Sequence, residues 1–312
     1  MIESDLRLLI AATFVCVTLA INISINIDAN VFGQAGQINP NKINLREIAT
    51  KKVHVADIDI AYKIFGKGQP VLLINGFSAP LDFWEPTFLA KLAANHTVVT
   101  FDNRGIGNTT SGDNKFSIPQ FANDASGLLD ALNISNADIL GWSMGGMIAQ
   151  ELALTHPDKV GKLIIYASTC GGRETVQPNP EIVKTSGNWS GSQSERLQRL
   201  VPLLFPEAWL IQNPGYLQNL PKTSEIVPIA TLNQQTKAII NWAGTCGRLN
   251  SITQPTLVII GTNDILTVPV NSLLITDKIP GSILVGIQGG GHALMFQYPE
   301  KFNMAVFNFL QS

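Results

Sequence analysis

Residues 51–65, KKVHVADIDIAYKIF, alternate apolar and polar side chains. A period of two predicts one or two half-exposed strands turning near Asp57. Pro70 then opens VLLIN, a short continuous apolar run suited to a strand covered on both faces. A helical pattern follows at Phe83–Leu92, then VVTF (98–101), a helical stretch from Pro119 to Leu132, and DILGW (138–142). Met144–Leu154 reads as a helix stopped by Pro157, and LIIYAS (163–168) as another buried strand. The alternation of strand and helix predicts right-handed crossovers and a parallel sheet with helices on both faces, an α/β architecture.

The rhythm breaks between residues 173 and 245, a mostly helical stretch holding Trp189, Trp209 and Trp242. Ser192 and Glu195 are spaced as a capping box, with Leu197, Leu200, Val201 and Leu204 expected on one apolar face behind it. Alternation resumes at TLVII (256–260), a helix near Val270–Asp277, ILVGI (283–287), read as a further buried strand, and a last helix at Pro299–Leu310. The expected organisation is a core of residues 36–172 and 246–312 with a helical cap of residues 173–245.

The N-terminal 35 residues stand apart. Leu8 to Ile21, LLIAATFVCVTLAI, carries no charge and matches a signal-peptide core, with Gly33 and Ala35 as small residues before a cut at Gly36. A retained anchor stretching to Ile27, a membrane attachment through residues 8–27, and a hydrophobic arm packed on the domain are the alternatives. Export and anchoring both place the folded part outside the cytoplasm. Removing residues 1–35 leaves Cys170 and Cys246, which suit either a disulfide or two free buried thiols.

Composition narrows the function. A net charge of −2 from 21 Lys and Arg against 23 Asp and Glu gives no basic surface, so nucleic acid is not expected as a partner. With 45% apolar and 14% charged residues the chain is globular and not disordered. No CxxC pair or HExxH motif occurs, and no metal or cofactor is expected. The sequence leaves the oligomeric state open.

The candidate chemistry centres on Gly141-Trp142-Ser143-Met144-Gly145-Gly146, a G-x-S-x-G motif between a predicted strand and a predicted helix. A sharp strand-to-helix turn forces its central residue into unusual backbone geometry, and Gly141 and Gly145 remove the Cβ atoms that would clash. Ser143 would then stand at the carboxyl end of the sheet, over a helix N-terminus that favours developing negative charge. A serine hydroxyl needs a base oriented by a third group. Of four histidines, His54 and His96 fall in or beside strands and His156 at a helix end. His292 follows three glycines after the last strand, so it is the expected base. Asp264, just after TLVII, is the expected acid on the same edge. The backbone N–H groups of Met144 and Phe77 are the expected oxyanion donors, with Gly76 and Trp142 as candidate pocket residues.

With these motifs in place, the chain resembles the α/β-hydrolase superfamily over residues 50–312. Asp102-Asn103-Arg104-Gly105-Ile106-Gly107 is similar to that family's D-x-R-G-x-G loop, and Asp102 and Arg104 read as organising that loop. Pro255–Gly261 leading to Asp264, and Gly291-His292 before a final helix, complete four ordered motifs. The closest flavour looks like capped esterases, enol-lactonases and cofactor-free haloperoxidases. The resemblance implies an eight-stranded, mostly parallel sheet under a helical cap. It also implies a serine hydrolase that cleaves a small-molecule ester or lactone through an acyl-enzyme. Hydrolysis of a C–C bond, perhydrolysis, and a non-catalytic binding protein are the rivals. One departure is Asn75, where many members carry His. If the two ends of the cap lie close, Cys170 and Cys246 could staple its base.

Overall fold

The computed structural model describes residues 45, 48–221 and 227–312. The proposed leader or anchor of residues 1–35 lies outside the described residues. Eight strands form one sheet in the order β1-β2-β4-β3-β5-β6-β7-β8. They are β1 (Lys51–Val55), β2 (Ile58–Gly66), β3 (Gln69–Ile74), β4 (His96–Phe101), β5 (Ala137–Trp142), β6 (Val160–Tyr166), β7 (Thr256–Gly261) and β8 (Ile283–Ile287). β2 runs antiparallel to both β1 and β4, and every other pairing is parallel. The sheet is therefore mostly parallel.

The continuous apolar runs divide by pleat. Side chains alternate across a strand, so Leu72, Ile74, Ile139, Leu163, Ile165 and Val258 feed one core. Their neighbours Val71, Leu73, Leu140, Ile164, Leu257 and Ile259 feed the other. Helices α2 (Ile118–Ala131) and α3 (Met144–Thr155) cover the first face, and α1 (Pro86–Ala93) and α10 (Pro299–Gln311) the second. Each fully buried Leu or Ile contributes about 1.5–3 kcal/mol relative to exposure, which is why runs without polar residues settle in the middle of the sheet.

Two expectations need correction. β8 is not buried: it is the sheet's last strand, and its run Ile283–Ile287 is exposed or half-buried except at Ile287. An edge strand has a neighbour on one side only, which an apolar run by itself does not reveal. Leu197 leaves the expected apolar face and is 55% exposed, while Val201 is buried.

Between β6 and β7 lie helices α4 (Pro180–Ser186), α5 (Gln193–Leu204), α6 (Glu207–Gln212) and α7 (Ile229–Ile240). The capping box at the start of α5 is formed by Ser192 and Glu195. A disulfide joins Cys170, just after β6, to Cys246, just before the chain returns to β7. Thr245 N–H also donates to the Cys170 carbonyl at 2.7 Å. Trp242 Nε1 and Arg248 both donate to the Glu151 carboxylate on α3, at 2.7 and 2.6 Å. The two ends of the helical stretch are thus tied to each other and to the helix that follows Ser143. Helices α8 (Val270–Lys278) and α9 (Leu294–Gln297) complete the chain.

Candidate active site

Because β3, β5, β7 and β8 run parallel, their carboxyl ends share one edge. Gly76, Ser143, Asp264 and His292 each follow one of these strands, so topology gathers residues from four distant segments.

At the end of β5, Ser143 adopts φ 56° and ψ −118°. Such backbone costs about 1–3 kcal/mol and persists only where its surroundings enforce it. Here Ser143 N–H donates to the Tyr166 carbonyl at 2.9 Å, and the Ser168 hydroxyl donates to the Ser143 carbonyl at 2.7 Å. A Cβ on Gly141 would lie 2.2 Å from the Gly145 oxygen, and one on Gly145 would lie 2.0 Å from the Ile74 oxygen. Ser143 is half-buried between fully buried neighbours, and its hydroxyl makes no capping bond to helix α3. Met144 opens α3, so its N–H is among the first-turn donors that have no acceptor within the helix.

His292 and Asp264 form a buried pair, with Nδ1 2.8 Å from Oδ2. Facing a carboxylate, Nδ1 is the ring nitrogen that carries a proton, and Nε2 is the one turned away from Asp264. Asp264 is held from its other oxygen by Leu266 N–H and Thr267 N–H, at 2.8 and 3.0 Å. The Thr267 hydroxyl donates to Oδ2 at 2.8 Å. One carboxylate therefore makes an Asx-type turn with Oδ1 and faces the imidazole with Oδ2. Burial pushes the Asp264 carboxyl up. The His292 charge and hydrogen bond, with those from Thr267, outweigh burial and hold it below its ordinary value.

The His292 backbone is fixed from beneath. Trp142 Nε1 and the Tyr166 hydroxyl both donate to its carbonyl, at 3.1 and 2.8 Å. Trp142 is 4% exposed and stacks between Phe83 and Tyr166, so it forms the wall behind His292. The loops after β7 and β8 press together: Asn263 N–H donates to the Gly290 carbonyl at 2.8 Å. A Cβ on Gly261 would come within 2.3 Å of that oxygen.

The loop after β3 approaches from the other side. A Cβ on Gly76 would be 3.1 Å from the Ser143 Cβ, so this backbone lies against the serine. Phe77 is half-buried and stacks on Trp189 with centroids 5.2 Å apart. Asn75 is fully buried, and its side-chain nitrogen donates to the Pro80 carbonyl at 2.8 Å, closing the loop on itself. Asp102 accepts Leu81 N–H at 2.7 Å and Asn108 N–H at 3.0 Å. Arg104 forks onto Asp124 (2.8 and 2.6 Å) and onto Asp57 (2.8 Å to each oxygen). Both residues tie loops together. Among the described residues no group of three or more His, Cys, Asp or Glu side chains could hold a metal ion.

Two residues escaped the sequence reading. Thr267 lies three positions after Asp264, a local spacing that could have suggested its contact. Gln235 on α7 accepts Ser78 N–H at 3.0 Å across 157 positions, and nothing in the sequence signals that approach.

A family model described as alpha/beta hydrolase fold matches residues 69–208. A protein of Azorhizobium caulinodans named "Putative carbamate hydrolase RutD" is 30% identical over 263 residues, covering 82% of this chain and 96% of that protein. A Synechocystis protein named "Putative non-heme chloroperoxidase" is 27% identical over 279 residues, with coverage of 82% and 96%. Among solved structures, Est816, described as an N-acyl homoserine lactone degrading enzyme, superposes with a TM-score of 0.70 at 28% identity, covering 83% of this chain and all of its own. The chain belongs to the α/β-hydrolase fold family, and with it to a hydrolase class of enzymes.

Proposed function

We propose that the protein is a serine hydrolase that cleaves a carboxylic ester or lactone. The observation that carries this reading is the buried His292–Asp264 pair at 2.8 Å, on the sheet edge where Ser143 is held at φ 56°. His292 Nε2 takes the Ser143 proton as Oγ attacks the substrate carbonyl. The N–H groups of Phe77 and Met144 receive the oxyanion. His292 then passes the proton to the leaving alkoxide, and the acyl-enzyme remains. Water, deprotonated by the same imidazole, releases the acid and restores Ser143. Asp264 holds the ring in the required tautomer and stabilises the imidazolium. The steps call on no metal or cofactor.

Residues 173–245 act as a cap in this reading. Trp189 covers Phe77, Leu204 O accepts Ala293 N–H at 3.1 Å beside His292, and Gln235 reaches Ser78. These aromatic and aliphatic walls suit a small or medium-sized apolar acyl group, with Gly76 giving the substrate room at the serine. Est816 supports the lactone option, and the name of the Synechocystis relative supports a second reading, perhydrolysis. In that case hydrogen peroxide replaces water at the acyl-enzyme, yielding a peracid and free Ser143. We further propose an extracytoplasmic location, by export or by membrane attachment through residues 8–27. The Cys170–Cys246 disulfide suits an oxidising compartment.

The test is turnover of p-nitrophenyl esters of increasing chain length and of simple lactones by wild type and Ser143→Ala. Ester or lactone turnover lost in Ser143→Ala supports the proposal. Turnover that survives in Ser143→Ala refutes it, and, in a parallel assay with hydrogen peroxide added, peracid formation in place of hydrolysis selects the second reading.

A further inference from the structure

Helix α7 carries Gln235, whose side chain is fully buried at 0% exposure. Its Oε1 accepts the N–H of Ser78 at 3.0 Å. Because Ser78 presents a donor, the amide must face it with oxygen, which fixes the side chain's orientation. The opposite atom, Nε2, is buried with no hydrogen-bond partner among the described residues. An unpaired buried amide group costs about 1–3 kcal/mol. A methionine would fill similar volume without that cost, so space-filling does not account for a glutamine here.

What the glutamine touches does account for it. Ser78 sits at φ 59°, backbone that a non-glycine residue adopts only when it is held there. It directly follows Phe77, whose N–H is the oxyanion donor under the function proposed above. The stretch between β6 and β7 that supplies Gln235 also supplies Trp189, from the loop between α4 and α5, stacked on the Phe77 ring. Two consecutive residues of the loop are thus gripped from the cap side, one through its ring and one through its backbone. Gly76, on the other side of Phe77, lies against Ser143.

We propose that Gln235 is a positioning residue: its carboxamide oxygen holds the Phe77–Ser78 peptide so that Phe77 N–H stays aimed at the developing oxyanion. This rests on the reading of Ser143 as nucleophile and Phe77 as donor. A contact of this kind acts in the transition state more than in substrate binding, so its loss falls on kcat and leaves KM nearly unchanged.

The experiment compares wild type, Gln235→Met and Gln235→Glu on a short p-nitrophenyl ester, with active sites titrated by a fluorophosphonate so that kcat is expressed per competent site. Gln235→Met should lower kcat per titrated site by about 10–100-fold, somewhat less than outright removal of an oxyanion donor. Gln235→Glu should recover most of the wild-type kcat, because a carboxyl oxygen accepts from Ser78 whether ionised or protonated. Should Gln235→Met yield no folded protein, Gln235→Asn replaces it, since a side chain shorter by one methylene withdraws the acceptor from Ser78. A merely structural glutamine would change the melting temperature and the titratable fraction but not kcat per titrated site. Full kcat per site in Gln235→Met, or Gln235→Glu as slow as Gln235→Met, overturns the proposal while wild type still labels at Ser143. Wild type that does not label at Ser143 overturns the underlying reading instead.

Discussion

Gly145→Ala is a one-methyl perturbation whose consequence follows from distances. The added Cβ would meet the Ile74 oxygen at 2.0 Å, the Ile74 carbon at 2.7 Å and the Asn75 oxygen at 2.8 Å. All three are backbone atoms at the end of β3, and they cannot rotate away as a side-chain tip would. Real Cβ contacts essentially never fall below 3.0 Å, so helix α3 and the end of β3 must separate by about 1 Å. The first carries Ser143 and Met144, and the second leads into Gly76 and Phe77. Separation therefore opens the distance between nucleophile and oxyanion donors. A misplacement of about 1 Å costs on the order of 100-fold in rate, or roughly 2.7 kcal/mol of transition-state stabilisation. Overpacking should cost a further 1–3 kcal/mol or so of stability. Gly286→Ala is the control, because a Cβ there has nothing within 4 Å. The assay is kcat/KM on a short p-nitrophenyl ester together with the melting temperature. Wild-type kcat/KM and an unchanged melting temperature in Gly145→Ala would show that no such separation occurs, and an equal loss in Gly286→Ala would show that the effect is not specific to this contact.

Asp264→Asn should leave the fold intact and lower kcat by roughly 10⁴, since an amide no longer fixes the imidazole tautomer; ester turnover beside circular dichroism checks it. The Cys170–Cys246 bond closes a loop of sequence separation 76, so Cys246→Ser should lower stability by about 4.5 kcal/mol in the chain-entropy account. Peptide mapping without reductant should find those two cysteines joined, and free thiols at both positions would contradict the bond. Asp57 is held well below the ordinary carboxylate range, chiefly by the hydrogen bond from Arg104. A depressed folded-state pKa contributes stability that is present above the unfolded value and lost as pH falls through the folded one. Asp57→Asn should therefore be less stable than wild type at pH 7, and the gap should close as pH drops below about 4. A gap that stays constant down to acid pH would show that the effect is not the charge of Asp57.

Most of the sheet was legible because parallel strands covered on both faces are nearly continuous apolar runs, as VLLIN, DILGW, LIIYAS and TLVII are, with their few polar residues at the ends. The elbow was legible for a local reason too: glycines two positions before and two after Ser143 are what let strand, turn and helix approach so closely. Legibility failed where a property depends on partners far along the chain. ILVGI reads like the interior strands, yet its place at the edge is set by which strand has no further neighbour. Leu197 fits an amphipathic stripe, but whether that stripe is covered depends on the rest of the helical segment. Gln235 meets Ser78 only because the chain between β6 and β7 folds back over the sheet edge, and a lone glutamine in a helix carries no mark of that.

Whether Ser143 is the nucleophile is tested by fluorophosphonate labelling of the folded protein, with the adduct located by mass spectrometry. One adduct is expected, on Ser143, absent from Ser143→Ala and strongly slowed in His292→Ala. No adduct on well-folded wild type, or an adduct at another residue, would contradict it.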